Sequence, residues 1–440
     1  MSSAKVRPFS RSVKNFDNIR EIFFERFPLG TSSRLKALAS FFEGSERAGF
    51  RGMINRTPRR ASREFGLGGR WEWENMRELH KIRCRFLSYS GIALILGLAF
   101  LFSVRSSGAG RREVTFTVGP AGDYMSISAA LEAIPNDAFS VRIRIAPSLQ
   151  AAERDAELMV PDAPSLERVT FEAALEEGAA QRVRVLSVWR IFANGVALAI
   201  GPGLEFPNAS VFGGSLAADH SLATVLTTDL TIAGMVSNVY GGGLALTGGV
   251  SIVRGAASVK LETGGEVIWQ LCGGGAAEGP DAYATIGDTD VSVSGRVAYA
   301  FAGGAARGGG RSEVVGVSRI SLDAEGASSV ALFGGGLAEG DGSAYRTADS
   351  AVSVAGRAAW VFGGDYAFGR GAAELTGMAS VAILPGASVV ELYAGSFATD
   401  EGSVASIAAA EVAGAERSAF YRPGSVSSKG GTAEDPEIVD

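Results

Sequence analysis

The sequence predicts an all-β fold: a right-handed parallel β-helix, a solenoid of about 30 residues per coil, preceded by one transmembrane helix. Three observations predict it. A short phrase ending in an aromatic residue and glycines recurs at a near-constant spacing. Apolar and polar residues alternate between the copies. A run of 19 residues, 86–104, carries no charge.

The phrase occurs as Asn208-Ala-Ser-Val-Phe-Gly-Gly, Val236-Ser-Asn-Val-Tyr-Gly-Gly-Gly, Val267-Ile-Trp-Gln-Leu-Cys-Gly-Gly-Gly, Val297-Ala-Tyr-Ala-Phe-Ala-Gly-Gly, Ser329-Val-Ala-Leu-Phe-Gly-Gly-Gly, Ala359-Trp-Val-Phe-Gly-Gly and Val389-Val-Glu-Leu-Tyr-Ala-Gly. Aligned on the glycines, the position after the aromatic slot falls at 213, 241, 273, 303, 334, 363 and 394, in steps of 28, 32, 30, 31, 29 and 31. A fixed period between roughly 20 and 50 residues marks a solenoid or another repeat array. Between the phrases, Val250-Ser-Ile-Val-Arg, Asp290-Val-Ser-Val-Ser, Val317-Ser-Arg-Ile-Ser-Leu and Val381-Ala-Ile-Leu alternate with period two, the pattern of half-buried strands. Three short strands per period fit one coil of a parallel β-helix. A propeller blade needs four strands in roughly 40–50 residues, and a leucine-rich repeat needs its own Leu/Asn pattern.

Two features of the phrase carry structural expectations. Gly213, Gly241, Gly273, Gly303, Gly334 and Gly363 are expected at one corner of successive coils, where positive φ or close backbone approach selects glycine. The residues before them, Phe212, Tyr240, Cys272, Ala302, Phe333, Phe362 and Tyr393, are expected to stack as a ladder, inside the rod or as an outward stripe for sugar rings. Cys272 in that slot reads as a small buried apolar residue.

The N-terminal part is different. Residues 1–85 hold 19 Lys+Arg against 9 Asp+Glu, whereas residues 86–440 hold 22 against 38. Residues 1–85 read as a basic, mostly unstructured cytoplasmic segment, and 86–104 as a transmembrane helix with the repeats outside. The alternative is that 86–104 is the h-region of a cleaved signal peptide, with translation starting at Met76 and residues 1–75 not made. The basic cluster Arg56, Arg59, Arg60 and Arg63 comes with no nucleic-acid fold signature, so no nucleic-acid partner is expected. Residues 113–207 read as capping and irregular first coils, 208–422 as regular repeats, and 423–440 as a disordered acidic tail.

The stretch Val114-Thr-Phe-Thr-Val-Gly-Pro-Ala-Gly-Asp-Tyr-Met-Ser-Ile-Ser-Ala-Ala-Leu-Glu-Ala-Ile-Pro reads as strand, Gly-Pro turn and short helix ended by Pro135. Through Gly122, Asp123, Tyr124, Ile127, Ala130, Leu131, Ala133, Ile134 and Pro135 it resembles the first coil of pectin-lyase-like parallel β-helix proteins, pectin methylesterases in particular. The resemblance covers about 22 of 440 residues and implies the fold, with the helix capping the solenoid. The catalytic patterns of that superfamily do not carry over. The esterase elements Gln-Asp-Thr-Leu, Asp-Phe-Ile-Phe-Gly and Gly-Arg-Pro-Trp are absent, as is the Gly-His-Gly of polygalacturonase-like hydrolases.

No catalytic constellation, cofactor motif or metal-ligand set is expected. Asp288-Thr-Asp290 and Glu339-Gly-Asp341 are carboxylate pairs that read as solvated turn acids rather than as a glycosidase pair. Tyr299 and Trp360 are the candidate ligand-stacking residues. The expected function is a cell-surface structural or adhesion protein presenting a repeat surface to a polysaccharide or a surface protein. The alternatives are a polysaccharide-active enzyme with an unrecognised site, and an envelope protein that self-associates.

Overall fold

A computed structural model describes residues 112–147, 157–174 and 182–439, which wind into a parallel β-solenoid of roughly 11 turns. Its strands form three parallel sheets, a long one of 14 strands, a middle one of 11 and a short one of 8. One turn consists of Val250–Leu261 in the long sheet, Glu266–Cys272 in the middle sheet and Ala276–Glu278 in the short sheet. The transmembrane expectation, 86–104, and the basic segment 1–85 lie outside the described residues. Among the described residues no helix is long and apolar enough to cross a membrane.

The register refines the repeat. Val250 pairs with Tyr283, Tyr283 with Arg311, Arg311 with Ala344 and Ala344 with Ala372, steps of 33, 28, 33 and 28 residues, so a pair of coils spans 61. Part of the alternation arises in the long sheet, where strands of 12 residues (Val250–Leu261, Arg311–Leu322, Ala372–Ile383) alternate with strands of 11 (Tyr283–Val293, Ala344–Val354), and the rest arises outside the long strands, as in the turn that follows them, Leu261 to Glu266 against Val293 to Arg296. The extra residue is a bulge, which leaves a backbone group outside the ladder. An aspartate in the shorter strand answers it: Asp288 accepts from the Val317 N–H and Asp349 from the Met378 N–H, both at 2.8 Å. Gly316 and Gly377 make room, since a Cβ there would lie 2.3 and 2.2 Å from those carboxylate oxygens.

Alternate coils are pinched into two lobes by a hydrogen bond across the interior. The Thr228 and Thr289 hydroxyls donate to the Gly241 and Ala302 carbonyls at 2.6 Å, and the Ser350 hydroxyl donates to that of Gly363 at 2.8 Å. These bonds tie the middle of a long strand to the glycine corner of the same coil, once per pair of coils. The wide lobe, between the long and middle sheets, holds the aliphatic core: Val259, Leu261, Val267, Leu271 and their counterparts along the axis. The narrow lobe, between the long and short sheets, is walled by alanines, with Ala338, Ala367 and Ala398 packing against Val314, Tyr345, Ala373 and Ala405.

The N-terminal end is closed by the strand Arg112–Val118 and a helix, α1, Ile127–Glu132. Ser126 caps the helix by accepting from the Ala129 N–H, and its apolar face (Ile127, Ala130, Leu131) is buried against the first coil. The Asp123 carboxylate takes both the N–H and the hydroxyl of Thr117 at 2.8 Å, which sets the turn and holds the carboxyl below its ordinary range. Gly122 is required there because a Cβ would stand 2.6 Å from the Thr117 carbonyl oxygen.

At the other end the expectation of a disordered tail is corrected. Beyond Ser418–Arg422, residues 423–439 continue the winding with Val426–Ser428, Thr432–Ala433 and Glu437–Ile438, each paired with the preceding turn. Polar composition is misleading at this point. These strands carry few apolar residues, yet their backbones complete the ladder, and Lys429 and Gly430 supply a positive-φ turn like that of Gly369 and Arg370 two coils earlier.

Candidate functional site

Neighbouring residues of a strand face opposite ways. In the middle sheet Val239, Leu271, Ala300, Leu332, Val361 and Leu392 face the aliphatic core. The residues after them therefore face out of the wide lobe, and the short sheet folds back over them. Stacked rings fill the angle between the two sheets. Phe192 lies on Phe212 at 5.1 Å and Phe212 on Tyr240 at 4.9 Å. After a gap the stack resumes, with Phe301 on Phe333 at 4.9 Å, Phe333 on Phe362 at 4.8 Å and Phe362 on Tyr393 at 4.7 Å. Tyr366 and Phe397 of the short sheet add a second layer, stacking on Phe333 at 5.4 Å and on Phe362 at 5.6 Å. The stacked rings are buried. The guanidinium of Arg422 closes the run, 6.0 Å above the Tyr393 ring.

The ladder corrects the alignment of one coil. Cys272 pairs with Phe301, and Phe301 with Phe333, so Phe301 rather than Ala302 holds the ladder slot. Ala302 then stands at the corner position of Gly273 and Gly334, and Gly303 stands one place on, where the Gly274 N–H meets its carbonyl. The corner glycines do not have positive φ. Close approach explains them: a Cβ on Gly241 would lie 2.1 Å from the Gly273 carbonyl oxygen, and one on Gly213, Gly273 or Gly334 would lie 2.2 Å from the next coil's. Gly363 has 2.4 Å to the Ala394 oxygen.

The gap at Cys272 is bordered by a polar cluster centred on Arg307. Glu278, Arg307 and Glu339 are in register on three successive short strands. Arg307 donates to Glu339 (3.0 Å) and Glu278 (3.3 Å), and reaches back over the small cysteine to the Tyr240 hydroxyl (3.0 Å) and to Gln270. Its guanidinium lies 5.9 Å from the Tyr240 ring centre. All three charged side chains are at least four-fifths buried. Burial pushes the Cys272 thiol up to about 12, against the opposing pull of Arg307, and also raises the Tyr240 hydroxyl. This thiol is held as a neutral packing group and not as a nucleophile.

The two candidate stacking residues lie in one row of the middle sheet, at the register of Gln270. Tyr299 pairs with Gln270 and Ala331, and Trp360 with Ala331 and Glu391. Tyr299 is buried, so its ring is not presented to solvent, whereas Trp360 is half-buried.

A third feature lies at the inner edge of the corner. Gly243, Gly275, Gly304, Gly336, Asp365 and Ser396 follow one another there, each carbonyl receiving the N–H that opens the next short strand. In the later coils a side chain of the next turn accepts the corner N–H: Gly336 to Asp365 Oδ1 at 2.9 Å, Asp365 to Ser396 Oγ at 3.0 Å and Ser396 to Ser425 Oγ at 2.9 Å. Sequence reading singled out neither this row nor Arg307. The replacement of a third glycine by Asp in Gly363-Gly-Asp was the one available signal.

The outer face of the long sheet carries an open, shallow concavity. Arg319, Ala351, Ser380 and Glu411 form one row, and Ser321, Ser353, Ala382 and Ala413 the next, flanked by Asp290. Together they line a shallow depression of about 390 Å³. Among the described residues no group of three or more His, Cys, Asp or Glu is placed to hold a metal ion. Comparison with known proteins found no match to a family model, to a curated protein or to a solved structure.

Proposed function

We propose that the chain is an exported, envelope-tethered rod of the pectin-lyase-like, right-handed kind, anchored through residues 86–104 with the repeats outside. In this reading it presents a repeated surface to a polysaccharide or a surface protein. The observation that carries the proposal is the depression on the long sheet, a face of small hydroxyl and methyl side chains bounded by Arg319 at one end and Glu411 at the other. Small side chains let an extended polymer approach the sheet closely, and bounding charges and serines orient it by hydrogen bonds. The rings do not supply this surface, because the ladder is enclosed. Trp360 keeps part of its surface open, but it lies on the middle sheet and not on this face.

The test is retention of the full chain on a panel of soluble polysaccharides, with new reducing or unsaturated ends followed in the same samples. Retention without new ends, weakened by Ser353→Trp in the depression, supports a presenting surface. New ends turn the reading to a polysaccharide-active enzyme. Neither signal turns it to a protein partner.

A further inference from the structure

The Asp365 carboxyl has no solvent exposure. Its place in the corner row is glycine in the four preceding coils and serine in the next. Oδ1 accepts from the Gly336 N–H, while Oδ2 has no hydrogen-bond partner. Among the described residues Asp365 forms no ion pair. A carboxyl buried with one oxygen unanswered and no cation is tolerated as the neutral acid and strongly disfavoured as the anion.

The surrounding groups reinforce this. From the long sheet, the Tyr345 hydroxyl of its own coil acts on Asp365 electrostatically, and Glu374 of the following coil adds a like charge. From the short sheet the neighbouring Tyr366 hydroxyl is itself buried without a partner. From the following corner, Ser396 already takes the Asp365 N–H. Each of these titratable groups is neutral or negative. Burial, with Glu374 adding to it and the Gly336 hydrogen bond opposing it, pushes the carboxyl up to about 8.

We propose that the buried, unpaired carboxyl of Asp365 makes the seam between the Gly336 and Asp365 coils a pH-operated opening point of the rod. The seam is closed while the carboxyl keeps its proton and opens more easily as solution removes it. In an opened coil the group returns to its ordinary value of 3.8. Between that value and about 8 the closed form binds the proton more tightly than the open one. Stability of the seam is therefore greatest in acid and falls as pH rises through that window, with opening easier by about tenfold per pH unit. Above the folded value both forms are ionised and the effect stops growing. A solenoid coil contacts only its neighbours, so the opening stays local. The inference is independent of what the surface binds.

The test is amide hydrogen exchange of the full chain between about pH 5 and 9, read by mass spectrometry after division by the intrinsic exchange rate. Peptides within 337–399 are expected to lose protection by about tenfold per pH unit up to near pH 8 and then level off, while peptides within 208–275 stay flat. Asp365→Asn keeps the acceptor for Gly336 and removes the titration, so its profile is expected to be flat. Asp365→Ser, which installs the residue found at the next corner, serves as the second variant. Protection of 337–399 that does not change with pH in the wild type, or an unchanged slope in either folded variant, overturns the proposal.

Discussion

The coils around Tyr240 and Cys272 and the coils from Phe301 to Tyr393 share one backbone plan but hold their neighbours in different ways. In the later region four rings lie in one unbroken stack, tilted by 6° from one to the next, with a second layer of rings against them. In the earlier region the stack stops at a cysteine, and a guanidinium between two carboxylates fills the space. The inner corner changes further along, being glycine through the Phe333 coil and Asp365, Ser396 and Ser425 in the three coils after it. The backbone ladder is thus the constant of this fold. Cohesion between coils comes from whatever side chains the register stacks: rings in one segment, a charge network in the other.

The largest effect is expected from removing a ring at the centre of the unbroken stack. Phe333 touches Phe301, Phe362 and Tyr366, and Phe333→Ala should cost about 3–5 kcal/mol, measured as a shift of the urea midpoint. In the earlier region the counterpart is Arg307→Met, which strands Glu278 and Glu339. About 3 kcal/mol is expected, the low end for a broken buried pair because some hydration remains. Replacing all three charges together (Glu278→Gln, Arg307→Met, Glu339→Gln) should recover most of that loss. If the triple variant were worse than the single one, the network would be contributing attraction well beyond mutual neutralisation.

A smaller effect separates the observed corner register from the one read off the glycines. Gly273→Ala forces a Cβ to 2.2 Å from the Ala302 oxygen and should destabilise by about 1–3 kcal/mol. Ala302→Gly relieves no contact and should change stability by less than about 1 kcal/mol. Equal costs at the two positions would place Gly303, not Ala302, in the corner.

The phrase period, the stacked aromatic slot and the strand chemistry were legible because each is a local pattern repeated in register. The capping helix was legible because it too is a local pattern, with Ile127, Ala130 and Leu131 on one apolar face. The misplacement of Gly303 has a physical cause. Val297-Ala-Tyr-Ala-Phe-Ala-Gly-Gly offers two aromatics among alanines, and alignment on glycines cannot see that hydrogen-bond pairing, not composition, sets the register. The 61-residue pairing was hidden because the aromatic phrase lies in the middle sheet, where successive strands start 30, 31, 30 and 31 residues apart, while the alternation of 33 and 28 shows only at the start of the long strands. The Arg307 cluster joins residues 67 apart in sequence, Tyr240 and Arg307, and becomes visible only when the coils are stacked. The sequence puts Tyr299 forward as a candidate stacking residue, but it is buried, because the short sheet folds over that face of the middle sheet.

The most direct test of the claim that stacked side chains carry the cohesion is a pair of double-mutant cycles, Phe333 with Phe362 and Tyr240 with Phe301, each residue replaced by Leu. The account predicts a coupling of about 0.5–1.5 kcal/mol for the first pair, whose rings are in contact, and close to zero for the second, which Cys272 separates. Couplings of equal size would contradict it and place the cohesion in the backbone ladder alone.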